Sequence, residues 1–296
     1  MTREQKDNLF VLIKSLSKSE KRQFKLYVGR LGVNDDSKFL LLFNVMDKMT
    51  DYDEQVILKK GIVKKQQLSN LKAHLYKQIL ISLRLNPLHQ NIRVQIREQL
   101  DFATILYHKG LYKQSLKILD KAKSLALNYE EKIIAYEIIE LEKIIESQYI
   151  TRSISNRADE LTIQAKDLNS QNILSSKLSN LSLQLYGLFL KTGYVKNDDE
   201  FHRVTKYFKK RLPKYDIKQI GFREKLWLYQ SYLWYSFLIQ DFLACYKYSR
   251  KWVDLFYANP NLMKLNPVFF LRGNQYLLEA LFYIKRHDKF QKALFE

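Results

Sequence analysis

The sequence predicts an all-α protein: an N-terminal helical bundle followed by an irregular solenoid of antiparallel helix pairs. Apolar residues recur at helical spacing almost throughout, with no convincing run of period-two alternation. Glycine and proline are scarce, 8 and 4 in 296 residues, or about a third of average usage. A sheet-based fold needs more turns than that supply allows. An apolar content of 46% is enough for a real core at this length.

The elements follow in chain order. Leu9, Leu12, Ile13 and Leu16 mark one face of a first helix, with Thr2 as its cap. Ser17 opens a second, and Glu20 three residues later completes a capping box; its buried face is Phe24, Tyr27, Val28 and Leu31. The polar break at 34–37 precedes a third helix bearing Phe39, Phe43 and Met46. A short helix over 53–60 ends at Gly61, and a long one carries Leu68, Leu71, Leu75, Ile79 and Leu83 in line. Asn86-Pro87 stops it, because proline cannot continue a helix and pushes the preceding residue out of the α region. Residues 1–88 form an N-terminal helical module on this reading, and 89–296 the helical array.

In the array, Gln99–Lys109 and Leu111–Leu127 make the clearest pair, joined at Gly110. Ala103, Ser115 and Ala122 recur where small side chains let two helices pack closely, and Phe102, Leu106 and Leu119 fill the large apolar positions. With Gly110 and Tyr112 in the turn, this segment resembles a tetratricopeptide repeat. Weaker echoes occur at Asp241-Phe242 with Cys245, and at Asp288-Lys289-Phe290 with Ala293. Leu233 and Trp252, however, stand where that family has small residues. Helices near 130–148, 153–168, 171–191 and 198–211 supply two further pairs. The last hairpin's second helix is expected to begin near Phe290, so the array is read as truncated, a piece of something longer. The resemblance bears on architecture and says almost nothing about activity.

Charge is uneven. The chain has 50 Lys+Arg against 31 Asp+Glu, a formal +19. Residues 1–100 carry 19 basic and 10 acidic side chains, 101–200 carry 13 and 14, and 201–296 carry 18 and 7. Two basic ends flank a neutral middle, as a polyanion-binding surface would. Yet 36 of the cations are Lys and 14 Arg, and Arg is the residue suited to bidentate phosphate or base recognition. No stretch approaches the roughly 18 apolar residues of a membrane span, and no signal-peptide core opens the chain. With a single cysteine, a cytoplasmic protein without membrane or disulfide framework is expected.

Catalytic patterns are missing. No two of His74, His89, His108, His202 and His287 lie within four residues of each other, and the glycines form no phosphate-cradling loop. Cys245 has no nearby histidine and reads as a small buried hydrophobe. Glu137, Glu140, Glu142 and Glu146 share a helix with Lys143 and look like a solvated face. No enzyme, cofactor or metal is expected.

Two binding features remain. Lys206, Lys209, Lys210, Arg211, Lys214 and Lys218 cluster at the end of one helix, more cations than its dipole accounts for. Of 40 aromatic residues, 24 lie in 201–296, with Trp227, Tyr229, Tyr232, Trp234, Tyr235 and Phe237 within eleven positions. Such a run covers every side of a helix. It is expected as an enclosed core helix, or as an aromatic groove for a partner peptide. The favoured function is a non-enzymatic scaffold or adaptor holding a partner peptide or helix. Its contacts are expected among Trp227, Tyr229, Trp234, Lys209, Lys210 and Arg211. The alternative is a nucleic-acid-binding regulator. The segment 53–83 resembles a helix-turn-helix in outline, and Lys65, Gln66, Asn70 and Lys72 would face phosphates or bases while the solenoid senses a signal.

Overall fold

The computed structural model describes residues 7–30, 38–86, 91–148 and 156–295, and these are helical with no strand. They divide into two compact units, Met1–Val94 and Gln95–Glu296.

The first unit holds α1 (Asn8–Ser15), α2 (Lys18–Arg30), α3 (Lys38–Lys48), α4 (Glu54–Lys59) and α5 (Lys65–Leu85). Side-chain caps set three of the helix starts, and the sequence implies one of them. Ser17 N donates to Glu20 Oε2 at 2.6 Å and Glu20 N to Ser17 Oγ at 3.2 Å, which is the expected reciprocal box. Asp53 accepts from Gln55 N at 2.8 Å and caps α4. The cap of α1 is Asp7, which accepts from Phe10 N, and not Thr2, which lies outside the described residues. Helix α1 begins beside an Asp whose carboxylate already reaches its first turn, so it needs no earlier cap. Leu9, Ile13, Phe24, Val28, Phe43, Met46, Leu75 and Ile79 meet in one core. Leu31 and the 34–37 break lie outside the described residues.

The second unit takes up α6 (Ile92–His108), whose first turn carries the boundary, and continues through α7 (Tyr112–Asn128), α8 (Lys132–Gln148), α9 (Arg157–Thr192) and α10 (Asp198–Arg211). It ends with α11 (Phe222–Leu238), α12 (Phe242–Tyr257), α13 (Pro260–Leu265), α14 (Pro267–Tyr283) and α15 (His287–Phe295). Long helices pack successively: α7 on α8, α8 on α9, α9 on α11, α11 on α12, α12 on α14 and α14 on α15. Ala103, Ser115 and Ala122 are all buried, and Ser115 Oγ donates to Ala103 O at 2.8 Å across the α6–α7 crossing. Phe102, expected in the core, is exposed.

The two helices expected over 153–168 and 171–191 are a single helix, α9, of 36 residues. Asn169-Ser170 is a polar step with neither Gly nor Pro, and neither residue removes a backbone donor or forces a left-handed turn. At a rise of about 1.5 Å per residue, α9 runs roughly 54 Å. Its C-terminus is set by Gly193 at φ 67°.

Four hairpin turns share one hydrogen-bond pattern. Leu111 N donates to Leu106 O, Glu131 N to Ala126 O, Asp241 N to Ser236 O and Arg286 N to Leu281 O, at 2.8–3.0 Å. Each is the long bond of a Schellman stop, made possible by a left-handed residue just before it. Those residues are Gly110, Glu130, Gln240 and Lys285, at φ 74°, 58°, 60° and 56°. A Cβ in that region costs about 1 kcal/mol, and three of the four positions bear one.

Lys285→Gly is therefore expected to raise stability by about 0.5 kcal/mol, the relieved strain exceeding the entropy glycine adds to the unfolded chain. Gly110→Ala is expected to lower it by about 1 kcal/mol. A Cβ there meets nothing within 4 Å, so that loss is purely backbone. Thermal unfolding midpoints of the two variants should move in opposite directions.

Candidate functional site

Helix α11 organises the second unit. It is covered around much of its circumference, and Leu226, Leu228, Leu233, Trp234, Phe237 and Leu238 are all buried. The expected enclosed aromatic helix is present. Phe208 of α10 stacks on Tyr235 at 4.2 Å, and Tyr232 stacks on Tyr248 of α12 at 4.5 Å. Trp252, where a small residue was expected, is fully buried against Gly273 of α14, where an added Cβ would come within 2.9 Å of the indole. The small residue has moved to the partner helix.

The N-terminus of α11 is fixed by charge. Glu224 is fully buried and accepts from Lys132 Nζ at 2.8 Å, while Glu130 holds the same ammonium at 3.0 Å. Arg223 Nη2 donates to Glu131 at 2.6 Å and its Nε to the Glu130 carbonyl at 2.8 Å. Gly221 permits this approach, since a Cβ there would run into Lys132 Nζ and lie 2.9 Å from Glu224 Oε2. A second cluster ties α7, α8 and α9: Lys123 and Arg157 reach the buried Glu142 at 2.6 and 3.2 Å. Burial pushes the Glu142 carboxyl up, against the opposing pull of Lys123 and Arg157. The carboxylates of α8 are thus partly structural where a solvated face was expected. Glu142 is enclosed, and its cation partners are side chains of this chain. Among the described residues no group of three His, Cys, Asp or Glu could hold a metal.

With α11 fixed at one end, a cleft of about 610 Å³ opens over its other part, between α9 and α14. Its size falls within the range of ligand-binding clefts. Trp227, half-buried, and Trp234, 6% exposed, line it seven residues apart. Tyr186 of α9 packs on Trp234 at 4.7 Å, Tyr276 of α14 packs on it at 5.4 Å, and Phe269 meets Trp227 edge-on at 5.8 Å. The α9 wall is small and polar at Ser179 and Ser182, then carries Leu183, which is 68% exposed. Burial pushes the Tyr276 phenol up, while Arg272 pulls it down.

The expected contact residues do not converge. Trp227 and Trp234 share the cleft. Tyr229 projects from another side of α11, where Lys251 Nζ lies 5.8 Å from its ring centre. Lys209, Lys210 and Arg211 end α10 and do not line the cleft. Arg211 is engaged within its own helix layer, stacking on Tyr207 at 4.2 Å and donating to Gln184 Oε1 at 2.7 Å. Sequence reasoning missed Gln230, Phe269 and Arg272, which line the cleft with the tryptophans. The spacing 227-230-234 is the signal that could have placed Gln230 on their face. Cys245 is buried, and burial pushes its thiol up to about 12, as suits a structural residue.

In the first unit, Lys65, Gln66 and Asn70 are exposed on α5. Lys72 on the same helix is engaged: its ammonium pairs with Asp7 and donates to Tyr52 Oη at 2.9 Å. Burial would lower its pKa, but the hydrogen bonds to Asp7 and Tyr52 outweigh that and raise it. Among the described residues no helix is long and apolar enough to cross a membrane. Comparison with family models, curated proteins and solved structures finds no match to this chain.

Lys132→Met is expected to destabilise the chain by about 3–5 kcal/mol, because it leaves Glu224 buried without its counter-charge. Adding Glu224→Leu should restore most of the loss in urea denaturation. Lys72→Met should cost about 1–2 kcal/mol. A raised lysine contributes stability in full below the ordinary value of 10.5, and that contribution fades as pH climbs past it. The gap between parent and variant in chemical denaturation should therefore narrow in strong alkali.

Proposed function

We propose that this chain is a non-enzymatic scaffold or adaptor that binds a segment of a partner protein in the α9–α11–α14 cleft. The observation that carries the reading is the cleft itself. Paired indoles at its floor and flank, aromatic rings from two neighbouring helices, and the exposed Leu183 on its wall form a ready apolar seat. Trp and Tyr dominate interface energetics because they bury large area at little entropic cost. In the same reading, α6–α15 is an irregular, tetratricopeptide-like solenoid in which the cleft is a binding face, and the protein works in the cytoplasm.

The nucleic-acid alternative keeps Lys65, Gln66 and Asn70 as an exposed polar face, but it loses Lys72, whose ammonium is held by Asp7 and Tyr52. A recognition helix with its one inner cation committed internally makes fewer phosphate contacts, so the cleft reading is favoured.

The test is selection of random twelve-residue peptides on the full chain, with affinities then measured by fluorescence anisotropy. Trp227→Ala and Leu183→Arg are each expected to weaken selected peptides at least tenfold, and Lys210→Glu to change little. If no selected peptide responds to the cleft variants, the reading is wrong. Labelled duplex DNA that stays bound near 200 mM salt and weakens with Lys65→Glu would put the regulator in its place.

A further inference from the structure

Within the cleft one side chain is out of keeping with its surroundings. Gln230 sits between the two indoles on the α11 floor and is 8% exposed. Its Oε1 is enclosed with no hydrogen-bond partner. A buried amide oxygen without a donor is costly, because water is lost and nothing replaces it. Polar side chains share the cleft, Ser179, Ser182 and Gln275 among them, but none donates to this oxygen. The edge of the cleft holds an exposed cation. Arg272 is the only charged residue among those lining it, and no carboxylate lies within ion-pair distance of it among the described residues.

We infer that the cleft takes an extended, acidic peptide, with the Gln230 amide pairing to a peptide group of its backbone and Arg272 to a carboxylate. This rests on the cleft being a peptide site. An amide side chain carries one acceptor and an NH₂ donor, the complement of a backbone N–H and C=O. A helical ligand has those groups satisfied internally and could offer neither, so the occupant's backbone is extended. The distance from Trp227 to Trp234 along α11 is about 10 Å at 1.5 Å per residue. Three residues of extended chain, at about 3.3 Å each, span it. One apolar side chain seats against the indoles and Leu183. An Asp, Glu or C-terminal carboxylate two or three positions away reaches the guanidinium, which suits planar, bidentate carboxylate recognition. The partner segment is thus acidic beside an aromatic or aliphatic anchor, complementary in charge to a chain of net +19.

The experiment uses the twelve-residue peptides selected on the full chain. Enrichment of a large apolar residue within three positions of Asp, Glu or the free C-terminus is expected. Gln230→Leu should weaken such peptides about tenfold while raising the thermal midpoint by about 2 °C, since it removes the orphaned acceptor. A residue held for structure would move both in the same direction. Arg272→Glu should reverse the preference toward basic peptides, and N-methylation of the backbone beside the anchor should abolish binding. If peptides lose affinity on Trp227→Ala yet ignore Gln230→Leu, Arg272→Glu and N-methylation, the cleft binds peptide and this recognition scheme is wrong. Selected peptides that bind as helices by circular dichroism would overturn it as well. So would a dimer in sedimentation that Trp227→Ala dissociates, since a second copy would then fill the cleft. If no peptide responds to Trp227→Ala, the cleft reading itself fails first.

Discussion

One buried carboxylate fixes the central helix of the second unit. Glu224 is enclosed at the start of α11, and among the described residues the charge that compensates for removing it from water is Lys132, 92 residues earlier at the start of α8. Desolvating such a pair is expensive, and it holds only if the geometry is tight and the surrounding hydrogen bonds are in place. Here they are supplied by residues next to the pair in sequence: Glu130 on the ammonium, Arg223 on Glu131 and on the Glu130 carbonyl, and a glycine at 221 that keeps the approach open. The pair therefore sets where α11 begins and how it is rotated. That rotation puts residues 227, 230 and 234 into the cleft and directs Tyr229 and Tyr232 toward other neighbours. A hydrophobic pairing at the same place could slide by a turn at modest cost. A buried ion pair cannot, because a slip leaves two charges without partners.

Given that anchor, the aromatic density of α11 has a physical reason. A helix covered on several sides must fill spaces of different width around its circumference, and flat rings fill them with few rotatable bonds. Tyr235 lies flat on Phe208, Tyr232 lies flat on Tyr248, and Trp234 is wedged among Tyr186, Phe189 and Tyr276. The phenol oxygens find one another where they can, as with Tyr215 and Tyr232 at 3.1 Å. This packing leaves no room for adjustment at Trp252, so the partner helix gives way instead: Gly273 removes its side chain where the indole crosses.

Local chemistry was legible in the sequence and distant pairing was not. The Ser17–Glu20 box and the small residues at 103, 115 and 122 each follow from residues within one or two turns, and each is found in the structure. Thr2 misled because a nearer acceptor, Asp7, was present. The break expected near 169–170 misled because polarity was taken for a stop, although neither residue removes a backbone donor or favours a left-handed turn strongly enough to end the helix. The turns at Glu130, Gln240 and Lys285 escaped notice for the opposite reason. Their backbone is left-handed without glycine, held by a hydrogen bond from the following residue and not by intrinsic preference. The exchange of bulk between Trp252 and Gly273 spans two helices, and the charges of Glu224 and Lys132 lie far apart in sequence. Nothing local marks any of these four as a partner of the other.

The same distinction bears on the cleft. Trp227 and Trp234 stood out by type, but type alone also picked Tyr229 and the α10 cations, which the fold sends elsewhere. What separates the sets is register on α11, and register is imposed by Glu224. From 224 to 227 to 230 to 234 the spacing is three, three and four residues, so a structural carboxylate, an indole, an orphaned amide and a second indole follow one another along one side of the helix. At the first of these positions the buried charge is matched by Lys132 from within the chain, through one carboxylate oxygen. At Gln230 no such match exists, although a leucine of similar volume would remove the unmet acceptor at no loss of packing. The groups that would complete the Gln230 site are a donor and an acceptor side by side, which is what an extended backbone carries.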